Sequence, residues 1–167
     1  MNKNILTQEQ ISEFMSVAIE QAWLAVKTKQ GGPFGACIVD IKTHEIISKA
    51  HNTVLADNDP TGHAEINVIR KASQKKHTYW LTDCILFSTC EPCPMCLGAI
   101  YWARIPIVYF DCSRKDAADA GFDDSVIYEQ ISLPPERRKI KFFTSTDNKK
   151  SLEVMLYWKS LYSEKVY

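Results

Sequence analysis

The chain carries no excess of either charge: 20 Lys+Arg offset 20 Asp+Glu, for a formal net charge of +0. A broad nucleic-acid footprint needs a positive surplus to neutralise phosphates, so a nucleic-acid partner is not expected. The short basic clusters Arg137-Arg138-Lys139 and Lys149-Lys150 read as solvated surface. Long apolar runs are missing too. Cys37-Ile38-Val39 and Ile107 to Phe110 fall far below the length that spans a bilayer, so no membrane partner is expected. No basic-then-apolar leader opens the sequence, and a cytoplasmic location is the expectation. Internal repeats and low-complexity linkers are absent, which leaves the 167 residues to a single domain with one core.

What is present is an alternation of helical and strand patterns. Thr7 followed by Gln10 is a capping-box signature, and Ile11, Phe14, Met15, Ala18, Ala22 and Val26 recur at helical spacing, so a helix is predicted over roughly Gln8 to Lys27. Gly31-Gly32-Pro33 breaks it. Phe34 to Asp40 and Glu45 to Ala50 then read as a strand hairpin. The polar stretch Asn52 to Gly62 reads as a loop, with a helix starting near Thr61 or Gly62. Cys84 to Thr89 is a strand, Pro94 opens another helix, and Ile107 to Phe110 is another strand. Ser113 to Ile140 reads as irregular and Ser151 to Ser163 as helical. Strands feeding helices twice in succession imply parallel neighbours, so the fold class is α/β with a mixed sheet between helices.

Six cysteines raise the question of disulfides. In the expected compartment they are rare, and the grouping of Cys93 and Cys96 favours metal ligation. Cys37, Cys84 and Cys112 sit in strand-like surroundings and read as small hydrophobes. His63-Ala64-Glu65 precedes Pro92-Cys93-Pro94-Met95-Cys96. One imidazole and two thiolates are zinc donors, and three protein ligands leave the fourth position open, as catalytic zinc requires. Cys90 is read as a non-ligand, because a fourth thiolate would close that position. His63 is placed in the first turn of its helix. Glu65, two residues on, cannot share its direction. It is read as the proton carrier beside a metal-activated water, whose pKa falls to roughly 7.

This combination, histidine-x-glutamate with proline-cysteine-x-x-cysteine, resembles the signature of the zinc nucleobase deaminases of the cytidine-deaminase-like superfamily. The resemblance implies a three-layer α/β/α fold with a mixed sheet of about five strands. It also implies one zinc per subunit and a homodimer. Gly31-Gly32-Pro33-Phe34-Gly35-Ala36, Asn58-Asp59-Pro60-Thr61, Cys90 to Arg104 and Ala120-Gly121-Phe122-Asp123-Asp124-Ser125 are similar to the bacterial guanine deaminases of that superfamily. The likeness implies a base-binding role for Asn52 and a guanine-reading role for Asp124, with a share in proton transfer. An ionised aspartate accepts only, which suits the adjacent N1–H and exocyclic amine of guanine. Phe34 and Trp102 are candidate stacking faces, although Trp102 also fits a core or dimer stripe. By resemblance, a segment over 141–167 crosses to a partner subunit, where the terminal Tyr167 closes the site. Three alternatives stay open: guanosine as substrate, adenosine in transfer RNA, and a non-catalytic zinc-stabilised interaction protein.

Overall fold

The structure, a computed structural model, describes residues 5–145 and 150–162. It divides into two compact units, Met1–Asp124 and Ser125–Tyr167.

The first unit is built on a sheet of four strands in the order β2-β1-β3-β4. These are β1 (Gly35–Asp40), β2 (Ile46–His51), β3 (Cys84–Cys90) and β4 (Ile107–Cys112). β1 pairs antiparallel with both β2 and β3, and β3 pairs parallel with β4. The predicted hairpin is therefore present. The sheet is mixed, as expected, but has four strands rather than five. The chain leaves β4 directly into a helix, so no further strand joins that edge among the described residues. β3 is buried along its whole length, which is why it reads as a continuous apolar run and not as an alternating one.

Helices cover both faces of the sheet. α1 (Gln8–Lys27) starts at the predicted capping box: the Thr7 N–H donates to Gln10 Oε1 at 2.9 Å, and the Gln10 N–H donates to Thr7 Oγ1 at 3.2 Å. Its buried face carries Phe14, Ala18, Gln21 and Ala25. Phe14 and Ala18 pack with Cys37, Val39, Ile85 and Phe87 of the sheet. The alternate residues Ala36, Ile38 and Leu86 point to the opposite face, where they meet Ala64, Val68 and Ala72 of α3 (Ala64–Lys76) and Ile100 of α4 (Pro94–Trp102). This is the expected three-layer α/β/α arrangement. α1 approaches β1 closely, since a Cβ on Gly35 would lie 2.1 Å from the Ala18 carbonyl oxygen.

Two stretches differ from the sequence reading. The loop over Asn52 to Gly62 contains a one-turn helix, α2 (Val54–Asp57). The region read as irregular forms α5 (Arg114–Asp119), α6 (Ser125–Ser132) and a 3-10 turn at Pro135–Arg137. α5 has no room for a repeating apolar stripe. Its capping box between Ser113 and Asp116 sets it instead.

In the second unit, the Arg138 Nε–H donates to the Leu133 carbonyl at 2.9 Å, and the Lys139 N–H donates to Gln130 Oε1 at 2.6 Å. These bonds tie the 3-10 turn to α6. The predicted C-terminal helix is α7 (Lys150–Leu161), and none of its residues is buried. Among the described residues, no helix is long and apolar enough to cross a membrane.

Candidate active site

The two helix starts on one face of the sheet carry the chemistry. His63 is the N-cap of α3 and Cys93 the N-cap of α4, both with extended backbone. His63 thus stands one position before the helix rather than inside its first turn. Asp59 explains the shift: its Oδ1 accepts from the Thr61 N–H at 2.8 Å and from the Thr61 hydroxyl at 2.7 Å, which holds the preceding residues in a turn. Pro94 occupies the first position of α4, where its missing N–H costs nothing. Cys96 lies one turn in.

His63 Nδ1 is 3.6 Å from Cys93 Sγ and 3.5 Å from Cys96 Sγ. All three donor atoms lie within 4.8 Å of one another. Tetrahedral zinc with ordinary Zn–N and Zn–S bonds would separate such a pair by about 3.6 Å. The donor set therefore fits zinc in chemistry and in spacing, and it leaves one coordination position open. The Cys96 thiol, then His63, lower the Cys93 thiol to about 4. Cys93 beside it, then burial, push the Cys96 thiol up, and the His63 ring is pushed up by Cys93.

Glu65 is 6% exposed. Burial pushes its carboxyl up, and the Ser88 hydroxyl donates to its Oε1 at 3.3 Å. Asn52, 5% exposed, is fixed in one orientation. Its Oδ1 accepts from the Gly32 N–H at 3.2 Å and the Val54 N–H at 3.1 Å. The oxygen being occupied, the amide Nδ2 is the end left to donate. A Cβ on Gly31 would lie 2.1 Å from Asn52 Oδ1, so the glycine permits this approach.

A cavity of about 530 Å³ joins these groups; Phe34, Asn52, His63, Glu65, Cys93 and Asp124 all line it. Burial, then the Cys93 sulfur, push the Asp124 carboxyl up. Phe34 packs edge-on against Phe122, with ring centroids 5.0 Å apart at 82°.

Residues 8–112 match the family model of the cytidine and deoxycytidylate deaminase zinc-binding region. The chain belongs to this family of zinc-binding deaminases. Among its relatives, guanine deaminase of Bacillus subtilis is 47% identical over 154 residues, covering 92% of this chain and 97% of that one. An X-ray structure of guanine deaminase from Bacillus subtilis superposes with a TM-score of 0.87 at 44% identity, covering 97% and 99% of the two chains. A tRNA-specific adenosine deaminase of Aquifex aeolicus is 44% identical over 102 residues, covering 61% of this chain and 66% of that one.

Within this deaminase domain, the cavity is lined by all the sequence-predicted site residues except three: Cys96, which is buried in the donor cluster, Trp102 and Tyr167. Trp102 is the last residue of α4, at the opposite end from Cys93, and is 70% exposed. At 1.5 Å per residue the helix carries it roughly 13 Å along the axis from Cys93 and roughly 9 Å from Cys96. Tyr167 lies outside the described residues. Cys90 lines the cavity without joining the donor cluster. Two functional neighbours were not singled out from sequence. Ser88 meets Glu65 only through the β3–α3 packing, which leaves no local trace. Glu91 sits inside the Cys-Glu-Pro-Cys run, and its place in the metal motif was the signal available.

Proposed function

We propose that this chain hydrolyses guanine to xanthine and ammonia with one zinc per subunit. The observation that carries this reading is the position of Asp124, an acceptor-only side chain in the wall of the same cavity as Glu65 and the His63–Cys93–Cys96 cluster. The likeness to Bacillus subtilis guanine deaminase over almost the whole chain supports it.

When bound by His63 Nδ1, Cys93 Sγ and Cys96 Sγ, zinc supplies a Lewis acid that acidifies water at its open position. The chain's residues do the rest. Asp124 accepts from N1–H and from the exocyclic amine of guanine, which sets C2 toward the cluster. Asn52 donates from Nδ2 to an acceptor on the ring. Phe34, braced by Phe122, stacks on the purine. Glu65 takes a proton from the attacking water and delivers it to N3. As the C2–N bond breaks, Glu65 delivers the second water proton to the amine, which leaves as ammonia. The raised carboxyl of Glu65, pushed up by burial, suits a group that holds and passes protons.

The same reading treats 1–167 as one deaminase domain acting as a cytoplasmic homodimer. The segment 141–167 crosses to the partner, and Tyr167 closes the partner's site. The unburied α7 supports a need for such a cover. Ammonia release from guanine, guanosine, cytosine and adenine tests the substrate. Turnover of guanine with Asp124→Asn at least about 100-fold slower is expected, since a site built to pair polar groups discriminates strongly. Release from guanosine but not guanine would overturn the choice.

A further inference from the structure

Glu91 stands two residues before Cys93, just past the end of β3, among the residues that line the cavity. Its backbone N–H donates to the Cys112 carbonyl at 2.8 Å, which continues the parallel β3–β4 pairing of Cys90 with Cys112. Its carboxylate Oε2 accepts from the Arg114 N–H at 3.1 Å. Arg114 is the first residue of α5, so Glu91 satisfies a backbone donor that the helix itself leaves open. A charged acceptor on a helix-start N–H is among the stronger hydrogen bonds of a fold. The helix it holds is only six residues long and has no buried residue of its own. Core packing therefore does little to fix its place.

The chain leaves α5 through Ala120 and Gly121 and delivers Phe122 and Asp124 to the cavity. Gly121 takes a φ of +95°, a conformation that favours glycine and turns the chain there. One short cap-dependent helix thus separates the metal loop from Asp124 and from Phe122, the brace of Phe34.

We infer that Glu91 is a positioning residue for substrate recognition: its carboxylate ties the metal-ligand loop to α5 and so fixes where Phe122 and Asp124 stand relative to the zinc. The inference rests on the guanine reading for its kinetic consequence, but not for its structural one. Glu91 neither ligates the metal nor exchanges protons with the substrate. Its loss loosens the base-reading wall while leaving the cluster intact.

The test compares Glu91→Ala and Glu91→Gln in the full chain, loaded with zinc, by hydrogen exchange and by kinetics. In Glu91→Ala, amide exchange over 114–124 accelerates while β3 stays protected and bound zinc is unchanged. KM for guanine rises about tenfold with kcat within about twofold, because loosened ground-state binding acts chiefly on KM. Glu91→Gln retains a carbonyl acceptor and restores most of both effects. If Glu91→Ala does not fold, Glu91→Asp, which draws the carboxylate back by one methylene, is read in the same way. Unchanged exchange over 114–124, or loss of zinc in parallel with activity, overturns the inference. If the wild-type chain does not turn over guanine, the substrate reading fails on its own and the exchange measurement still decides the role of Glu91.

Discussion

Ser88 donates its hydroxyl to Glu65 Oε1 across 3.3 Å, and both residues are almost wholly buried. One carboxylate oxygen is thereby held by β3. This bond joins the sheet to the proton carrier, and it separates two roles that mutation can tell apart.

Glu65→Gln keeps the shape and the Ser88 contact but cannot carry protons. It should bind zinc normally and release ammonia roughly 10²–10⁴-fold more slowly. Ser88→Ala leaves the carboxylate and frees its orientation, so a severalfold loss of about 3–10-fold is expected. Zinc content and ammonia release, measured on the same preparations, check both. Loss of zinc in Glu65→Gln would mean that the carboxylate helps hold the metal.

Asn52 separates in the same manner. Asn52→Asp retains the oxygen that accepts from Gly32 and Val54 but removes the Nδ2 donor. It should melt close to wild type and lose about tenfold or more in kcat/KM. Asn52→Ala strands two backbone donors as well and should cost about 1–3 kcal/mol of stability. Thermal melting alongside kinetics distinguishes them. Equal melting for the two variants would count against the locked amide.

Cys90 provides a negative control at the metal. Burial pushes its thiol up to about 11, and its Sγ faces the Ser113 carbonyl at 3.8 Å. Cys90→Ala should therefore keep a full complement of zinc, whereas Cys93→Ala and His63→Ala should lose it. Metal analysis after dialysis against a chelator decides this. A Cys90→Ala protein without zinc would place a fourth sulfur at the metal.

Far from the site, Asp40 sets an acid limit on stability. Its Oδ1 accepts from the Thr43 N–H at 3.0 Å and the Lys42 N–H at 2.8 Å, and Lys76 stands 3.4 Å from its other oxygen. The two backbone bonds, first of all, lower its carboxyl from the ordinary value of 3.8. A depressed folded pKa gives stability that is fully present above the unfolded value and is lost as pH falls through the folded one. Urea midpoints of wild type should thus fall below pH about 4 more steeply than those of Asp40→Asn. Parallel curves would remove Asp40 from the account.

How much of this was legible in the sequence depended on whether the cause was local. Thr7 and Gln10 fix the start of α1 within four residues of chain, and the helix bounds followed from them. His63, Cys93 and Cys96 carry their chemistry in their residue types, so the donor set was legible before its geometry. Asn52 was placed in the site only by resemblance. Its orientation comes from the close approach of Gly31 and Gly32, which is a tertiary fact. α5 escaped because a six-residue helix set by a cap has no period to read. Trp102 reads from sequence as a stacking face or a core or dimer residue, and only the fold shows it at the far, exposed end of α4.

The metal ligands sit at the starts of two different helices, with His63 and Cys93 separated by 30 positions along the chain. Zinc is therefore also a removable cross-link, closing a long loop much as a disulfide would, but one that a chelator can open. A chain still being synthesised cannot complete this closure until Cys96 has emerged from the ribosome. By then β1, β2 and β3 are already made. Metal capture should follow pairing of β1, β2 and β3 in time, and a chain starved of zinc should stall as a sheet-containing form with its two helix starts unjoined.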